Sequence, residues 1–287
     1  MKRLRVLGAS GVAGRAFVPQ AAAAGHEVLT DRIDILDIDA LRRGLRGVDA
    51  VVNLASAIPR PGGRGDWATN DRIRRQGTAH LLAVCAEAGV RCLVQQSVAM
   101  LHHVADDRPQ HEDDPIDGGG VLASALDMER LLRAAALDVR IVRGGLFYGG
   151  ASGVPERWLA QVRAARHRLP GDGSGWVSPV HVDDHARALL VVLGLPPAGP
   201  GPRAFIACDD VPLRWREVYA RAAAAARERV PAAGGPVALP SFRTSNARLR
   251  ALGWAPRHSL LMHIGVTPLP AAPPPASNPL PSREDTP

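Results

Sequence analysis

The stretch Leu4-Arg5-Val6-Leu7-Gly8-Ala9-Ser10-Gly11-Val12-Ala13-Gly14 sets a short apolar run directly before a glycine-punctuated loop, and the loop before an apolar segment at helical spacing. A strand that feeds such a loop and opens a helix turns the loop's backbone N–H groups toward one point, at the positive end of the helix dipole. Gly8, Ser10, Gly11 and Val12 supply those groups, and Gly14 lets the helix lie close to the preceding strand, an arrangement suited to a pyrophosphate. A tight strand-to-helix turn with no ligand is the competing reading of the same spacing. Gly25-His26-Glu27-Val28 then begins a second strand where a βαβ unit requires one.

The alternation continues along the chain. Strands are expected at 4–7, 27–30, 49–54, 91–97 and 139–143, and helices at 14–24, 40–45, 66–88 and 122–136. Short apolar strands alternating with helices predict an α/β fold with a doubly wound parallel sheet, a Rossmann fold, over residues 1–150. Residues 151–266 carry shorter signals broken by Gly and Pro, with helices expected at 155–166, 183–193 and 213–229. They are read as a smaller substrate-binding portion or lid, with some elements returning to the core. Residues 267–287 hold too much proline and too little apolar content to pack, and are expected to form a disordered tail.

Composition narrows the function. At 287 residues with net charge +7 the chain is basic, yet Lys2 is its only lysine and the arginines fall in short groups such as Arg42, Arg43 and Arg46 or Arg72, Arg74 and Arg75. That spacing fits solvated helix faces rather than a nucleic-acid stripe, so no nucleic-acid partner is expected. Cys85, Cys92 and Cys208 lack metal-ligand spacing and predict reduced, buried thiols; no metal site is expected. Neither a signal segment nor a membrane span is read, which predicts a cytoplasmic protein.

The spacing of Gly8, Gly11 and Gly14 is GxxGxxG rather than GxGxxG. Asn53-Leu54-Ala55-Ser56 closes a strand, Asn70 and Gly77-Thr78 lie in the long helix, and Ala88-Gly89-Val90 precedes the strand ending at Ser97. Arg143-Gly144-Gly145-Leu146-Phe147-Tyr148-Gly149, Gly171-Asp172-Gly173, Val180-His181-Val182-Asp183-Asp184 and Leu252-Gly253-Trp254-Ala255-Pro256 follow. In this order the segments resemble the extended and atypical short-chain dehydrogenase/reductases, the NAD-dependent epimerase/dehydratase family, over about residues 4 to 257. The resemblance implies a bound nicotinamide dinucleotide, lined by Asn53, Leu54 and Ala55 and met at its adenine by Asp34 and Ile35. Gly144 stands where the family usually has proline. At Thr30-Asp31-Arg32 a carboxylate would hold a ribose hydroxyl and an arginine a 2′-phosphate; Arg32 favours NADP, with NAD the alternative.

The family's reaction centre pairs a tyrosine with a lysine four residues later. Those positions fall on Val121 and Ala125, and with Lys2 the only lysine no YxxxK exists anywhere in the chain. Ser97 lies at the strand end expected to meet the nicotinamide, and the next residue, often the family's catalytic serine, is Val98. His102, in the loop after that strand, and Tyr148, at the end of another, are candidates to supply the missing proton.

The first expectation is therefore an NAD(P)-dependent oxidoreductase or epimerase-like enzyme acting on a small-molecule carbonyl or hydroxyl, with Ser97, His102 or Tyr148 replacing the dyad. A non-catalytic nicotinamide-binding sensor, and a cyclase or lyase on the same fold, are the alternatives. Family likeness adds a possible homodimer through the helices at 66–88 and 121–136.

Overall fold

The computed structural model describes residues 1–59, 65–103, 107–152, 154, 156–164, 168–197 and 201–265; the expected tail at 267–287 lies outside them. Its strands are β1 (Arg3–Leu7), β2 (Glu27–Leu29), β3 (Ala50–Asn53), β4 (Cys92–Val98), β5 (Asp138–Gly144), β6 (Leu146–Tyr148), β7 (Trp176–Val177), β8 (Pro179–His181), β9 (Gly201–Ala207) and β10 (Leu213–Arg214). Six of them form one sheet in the order β2-β1-β3-β4-β5-β9, every pair parallel.

A parallel sheet needs cover on both faces, and the strands read accordingly. Leu4, Val6, Ala50, Val52, Val94 and Val142 pack on one face, while Leu7, Val51, Leu93, Val139 and Ile141 pack on the other. The first face is covered by α1 (Val12–Ala23), through Ala13, Ala16 and Phe17, and by a helix from the second half of the chain, Val182–Gly194, through Ala186, Leu189 and Val192. The second face is covered by α2 (Ile38–Gly44), by the run α3 (Trp67–Arg72), a π-helical turn (Ile73–Gly77) and α4 (Thr78–Glu87), and by α5 (Ala123–Arg133).

The remaining helices are α6 (Glu156–Arg163), α7 (Val182–Gly194), α8 (Trp215–Ala226), α9 (Ala247–Ala251) and α10 (Leu260–His263). Around α6, α8 and α10 lies a separate apolar cluster, including Val162, Val218, Tyr219, Leu260 and Ile264, which Ala99 and Tyr148 join from the first half of the chain. Two elements return from the second half to the Rossmann sheet: α7 on its face and β9 at its edge, beside β5. The strand β9 was not expected individually, because Arg203 breaks its apolar run. The expected helix at 213–229 starts at Trp215, since Leu213 and Arg214 first pair antiparallel with β7. Among the described residues no helix is long and apolar enough to cross a membrane.

Candidate active site

The neighbours of β1 lie on opposite sides, β2 reached through α1 and β3 by the return crossing, and ligands of open α/β sheets bind at the carboxyl ends of strands that diverge in this way. The loop from Gly8 to Gly11 sits there. Gly8 has φ +78°, closes a turn by accepting from the Gly11 N–H at 2.9 Å, and a Cβ on it would lie 2.6 Å from the Leu54 carbonyl carbon. A Cβ on Gly14 would lie 2.4 Å from the carbonyl oxygens of Gly8 and Ala9. Glycine at both positions lets strand, loop and helix start pack this closely, a geometry that fits a dinucleotide pyrophosphate.

Beside it, Asn53 ties two strand ends together: its Nδ2 donates to Gln95 Oε1 at 2.8 Å, and its Oδ1 accepts from the Ala55 N–H at 3.2 Å. Asn70 Oδ1 accepts from the Ala57 N–H at 3.1 Å, so two buried amides set the course of residues 54–57. At the end of β2 the Asp31 carboxylate takes Arg5 at 3.3 Å, while exposed Arg32 has no ion-pair partner among the described residues. Asp34 is exposed and accepts from the Leu36 N–H, whereas the Ile35 side chain is buried in the core against Gly77.

A cavity of about 310 Å³ opens from this loop across the ends of β4 and β5 toward α6. Gly11, Val12 and Leu54 form one side, Val98, Val121 and Leu122 another, and Phe147 and Leu239 a third. Val98 and Val121 therefore stand in its wall, and Ala125 is fully buried beneath. Gly144 and Gly145 also line it. A Cβ on Gly144 would meet Phe147 and His185 within 2.9 Å, which accounts for the absence of the expected proline.

The three residues expected to do chemistry are not brought together. Ser97 lies in the cavity wall, but its hydroxyl donates to Glu129 Oε1 at 2.7 Å, away from the open space. His102 is not in a loop over the pocket: it is fully buried on a 3-10 turn, and Arg143 donates to its Nε2 at 2.7 Å. Burial first, and the Arg143 charge second, push its pKa down to about 4, so it is a neutral acceptor. Arg143 in turn forms a fully buried ion pair with Glu129, at 2.6 and 3.0 Å. Tyr148 faces away from the cavity as well, donating from full burial to Asp209 Oδ2 at 2.9 Å. Burial and the Asp209 charge hold the phenol well above its ordinary pKa.

Asp209 yields a pH prediction. Burial raises its pKa to about 7, while its Oδ2 accepts from Tyr148 and from the Leu260 N–H. Below about pH 4 both folded and unfolded chains hold the proton; as pH rises toward 7 only the unfolded chain gives it up, so the folded state loses up to roughly 4 kcal/mol relative to a non-titrating group. Asp209→Asn keeps an acceptor for both donors. It is expected to raise Tm over wild type at pH 8 and to match it at pH 4; parallel Tm profiles across that range would contradict the assignment.

The pairing of Glu129 with Arg143 was not expected from the sequence. Arg143 ends the apolar run of a strand, a departure from pattern that signals a buried partner, whereas Glu129 in Asp127-Met128-Glu129-Arg130 carries no such signal. Arg74, grouped with Arg72 and Arg75 as a solvated face, is instead only 8% exposed and lines the cavity. In the acidic run at 112–114, Glu112 is buried and accepts from the Ile206 N–H at 2.9 Å. Cys85, Cys92 and Cys208 are free and buried. Away from the cavity, His181, Asp183 and His258 place ligand-type atoms within 4.8 Å of one another, but His181 Nδ1 already accepts from the Asp183 N–H at the start of α7.

Comparison with known proteins places this geometry. The sequence pattern of the NAD dependent epimerase/dehydratase family matches residues 4–208. A Streptomyces 3-diazoavenalumate denitrifying reductase is 31% identical, over 89% of this chain and 96% of that protein. Solved structures share the fold, two of them as follows. UDP-glucose 4-epimerase of Thermus thermophilus in complex with NAD has a TM-score of 0.73 at 22% identity, covering 90% of this chain and 94% of that one. RMD from Pseudomonas aeruginosa complexed with NADPH has a TM-score of 0.74 at 24% identity, covering 92% and 96%.

Proposed function

The chain belongs to the NAD dependent epimerase/dehydratase family and is an NAD(P)-dependent oxidoreductase; we propose that it is a reductase for a substrate that accepts a hydride without needing a proton from the protein, of which an aryl diazonium is the chemical type. The observation that carries this reading is the cavity wall. Among the described residues lining it there is no His, Cys, Tyr, Lys, Asp or Glu. A carbonyl becoming an alkoxide calls for a general acid, which contributes about 100-fold to 10,000-fold in rate. A diazonium does not: the carbon gains a hydride, the C–N bond breaks, its electron pair leaves with dinitrogen, and the charge balances with no proton moved. The relative named as a denitrifying reductase acts on a diazo compound, which supports the same class here.

When bound, the dinucleotide supplies the hydride. The chain's own work is to bind and orient: the loop from Gly8 to Gly14 for the pyrophosphate, Asn53 and Asn70 for the backbone wall at 54–57, and the apolar surface of Val98, Val121 and Phe147 to exclude water. Ser97, His102 and Tyr148 serve as positioning residues in this scheme, holding strand ends rather than moving a proton. Arg32 would pair with the 2′-phosphate of NADP, a charge-assisted contact.

The test is to mix purified protein with deuteride-labelled NADPH and an ortho-hydroxyaryl diazonium. The expected result is deuterium on the arene carbon and one dinitrogen released for each NADPH oxidised. Turnover of simple ketones with no reaction of the diazonium would overturn the proposal. In the same assay NADPH should outperform NADH, and Arg32→Ser should remove about tenfold to 100-fold of that preference, the effect of one lost charge-assisted contact.

A further inference from the structure

Arg74 is the most unusual group in the cavity. Its residue surface is 8% exposed, and its one hydrogen bond among the described residues runs from Nη1 to Ser124 Oγ at 3.3 Å. No carboxylate lies within ion-pair distance among those residues: Asp71, one turn back, pairs with Arg75 at 3.6 Å, and Asp127 pairs with Arg75 and Arg130. A guanidinium has five N–H donors, and burying it without an anion costs several kcal/mol. Burial lowers its pKa, and the Asp71 charge opposes that shift.

The backbone also singles this position out. Arg74 falls within the π-helical turn Ile73–Gly77, and such turns re-aim side chains and recur at functional sites. The turn faces α5 beside Ala125, so the cation reaches the region where the family places its lysine. Arg157 on α6 lines the same cavity with no ion pair among the described residues, and the rest of the wall is largely apolar, with Trp67, Ile58 and Met100 prominent.

The geometry points to a substrate carboxylate bound by Arg74, with Arg157 lending a second positive charge and the apolar wall taking a flat conjugated body. A carboxylate matches the free edge of the guanidinium with two parallel N–H···O contacts and neutralises a buried charge that has no carboxylate partner among the described residues. This assignment rests on the reading above only in taking the cavity as the substrate site; it requires no particular reaction.

Calorimetry on protein saturated with NADP⁺ tests it, using cinnamate and the neutral isostere cinnamamide as probes. Wild type is expected to bind cinnamate at least tenfold more tightly than the amide. Arg74→Met should abolish that preference and leave NADP⁺ affinity within twofold, Arg74→Lys should restore part of it, and Arg157→Met should reduce it by a smaller factor. Equal binding of acid and amide by wild type would overturn the proposal, as would a loss of NADP⁺ affinity in Arg74→Met that matches the loss for cinnamate, which would assign Arg74 to the dinucleotide. Should Arg74→Met fail to fold, the wild-type comparison and Arg157→Met still decide. Cinnamate selectivity without diazonium turnover would refute the reaction and keep the carboxylate site; diazonium turnover indifferent to a substrate carboxylate would do the reverse.

Discussion

Replacing Gly14 with alanine should lower affinity for NADPH at least 100-fold, equivalent to about 2.7 kcal/mol of binding free energy. The reason is local and steric. The new methyl would lie 2.4 Å from two carbonyl oxygens, those of Gly8 and Ala9, both backbone atoms of the loop that forms the cradle. Carbon and oxygen cannot approach so closely, so either the loop opens or the start of α1 moves off the strand. Both displacements carry the converging N–H groups away from the pyrophosphate, and the helix dipole with them.

The control is Gly25→Ala. Gly25, unlike Gly14, has a left-handed backbone, φ +81°, and nothing lies within 4 Å of a Cβ built there. That substitution should cost about 1–2 kcal/mol of stability through backbone strain alone and leave NADPH affinity unchanged. Fluorescence titration with NADPH and thermal melts on both variants separate the effects. If Gly14→Ala bound NADPH as wild type does, the dinucleotide would not rest on this loop.

What the sequence made legible was what adjacent residues decide. The run from Leu4 to Gly14 carries strand, turn and helix start within eleven positions, and β1, β3, β4 and β5 each follow an apolar run at the expected place. The long helix expected at 66–88 is present as α3, the π-helical turn and α4. Side-chain direction was harder to read, because it depends on partners far along the chain. Ser97 turns to Glu129, 32 residues on, and Tyr148 to Asp209, 61 residues on. Position near a strand end placed Ser97 at the cavity but could not say which way its hydroxyl points. Arg74 differs from expectation for a related reason: among neighbouring arginines its spacing looks solvated, whereas it lies buried within a π-helical turn that spacing alone does not reveal.

The largest loss of stability is expected from Glu129→Gln. Glu129 is fully buried on α5 and accepts three hydrogen bonds, from the Ser97 hydroxyl at 2.7 Å and the Arg143 guanidinium at 2.6 and 3.0 Å, beside a longer ion pair with half-exposed Arg133 at 3.6 Å. Arg143 is equally buried and extends the network to His102 and to the Glu112 carbonyl. Removing the carboxylate charge leaves a cation in the interior with only neutral acceptors, and breaking a buried pair from one side costs about 3–5 kcal/mol. In a protein of this size that is roughly a 10 °C fall in Tm. The double substitution Glu129→Leu with Arg143→Met removes both charges and should recover much of the loss, since apolar replacement of a buried pair is often close to neutral. The cycle also bears on the reaction. If Ser97 and His102 only hold the ends of β4 and β5, then His102→Gln should lower Tm and leave kcat for the diazonium nearly intact at a temperature where the variant is folded. A drop in kcat at unchanged Tm and KM would instead return His102 to the chemistry, and the cavity would have to be reconsidered as one that does move a proton.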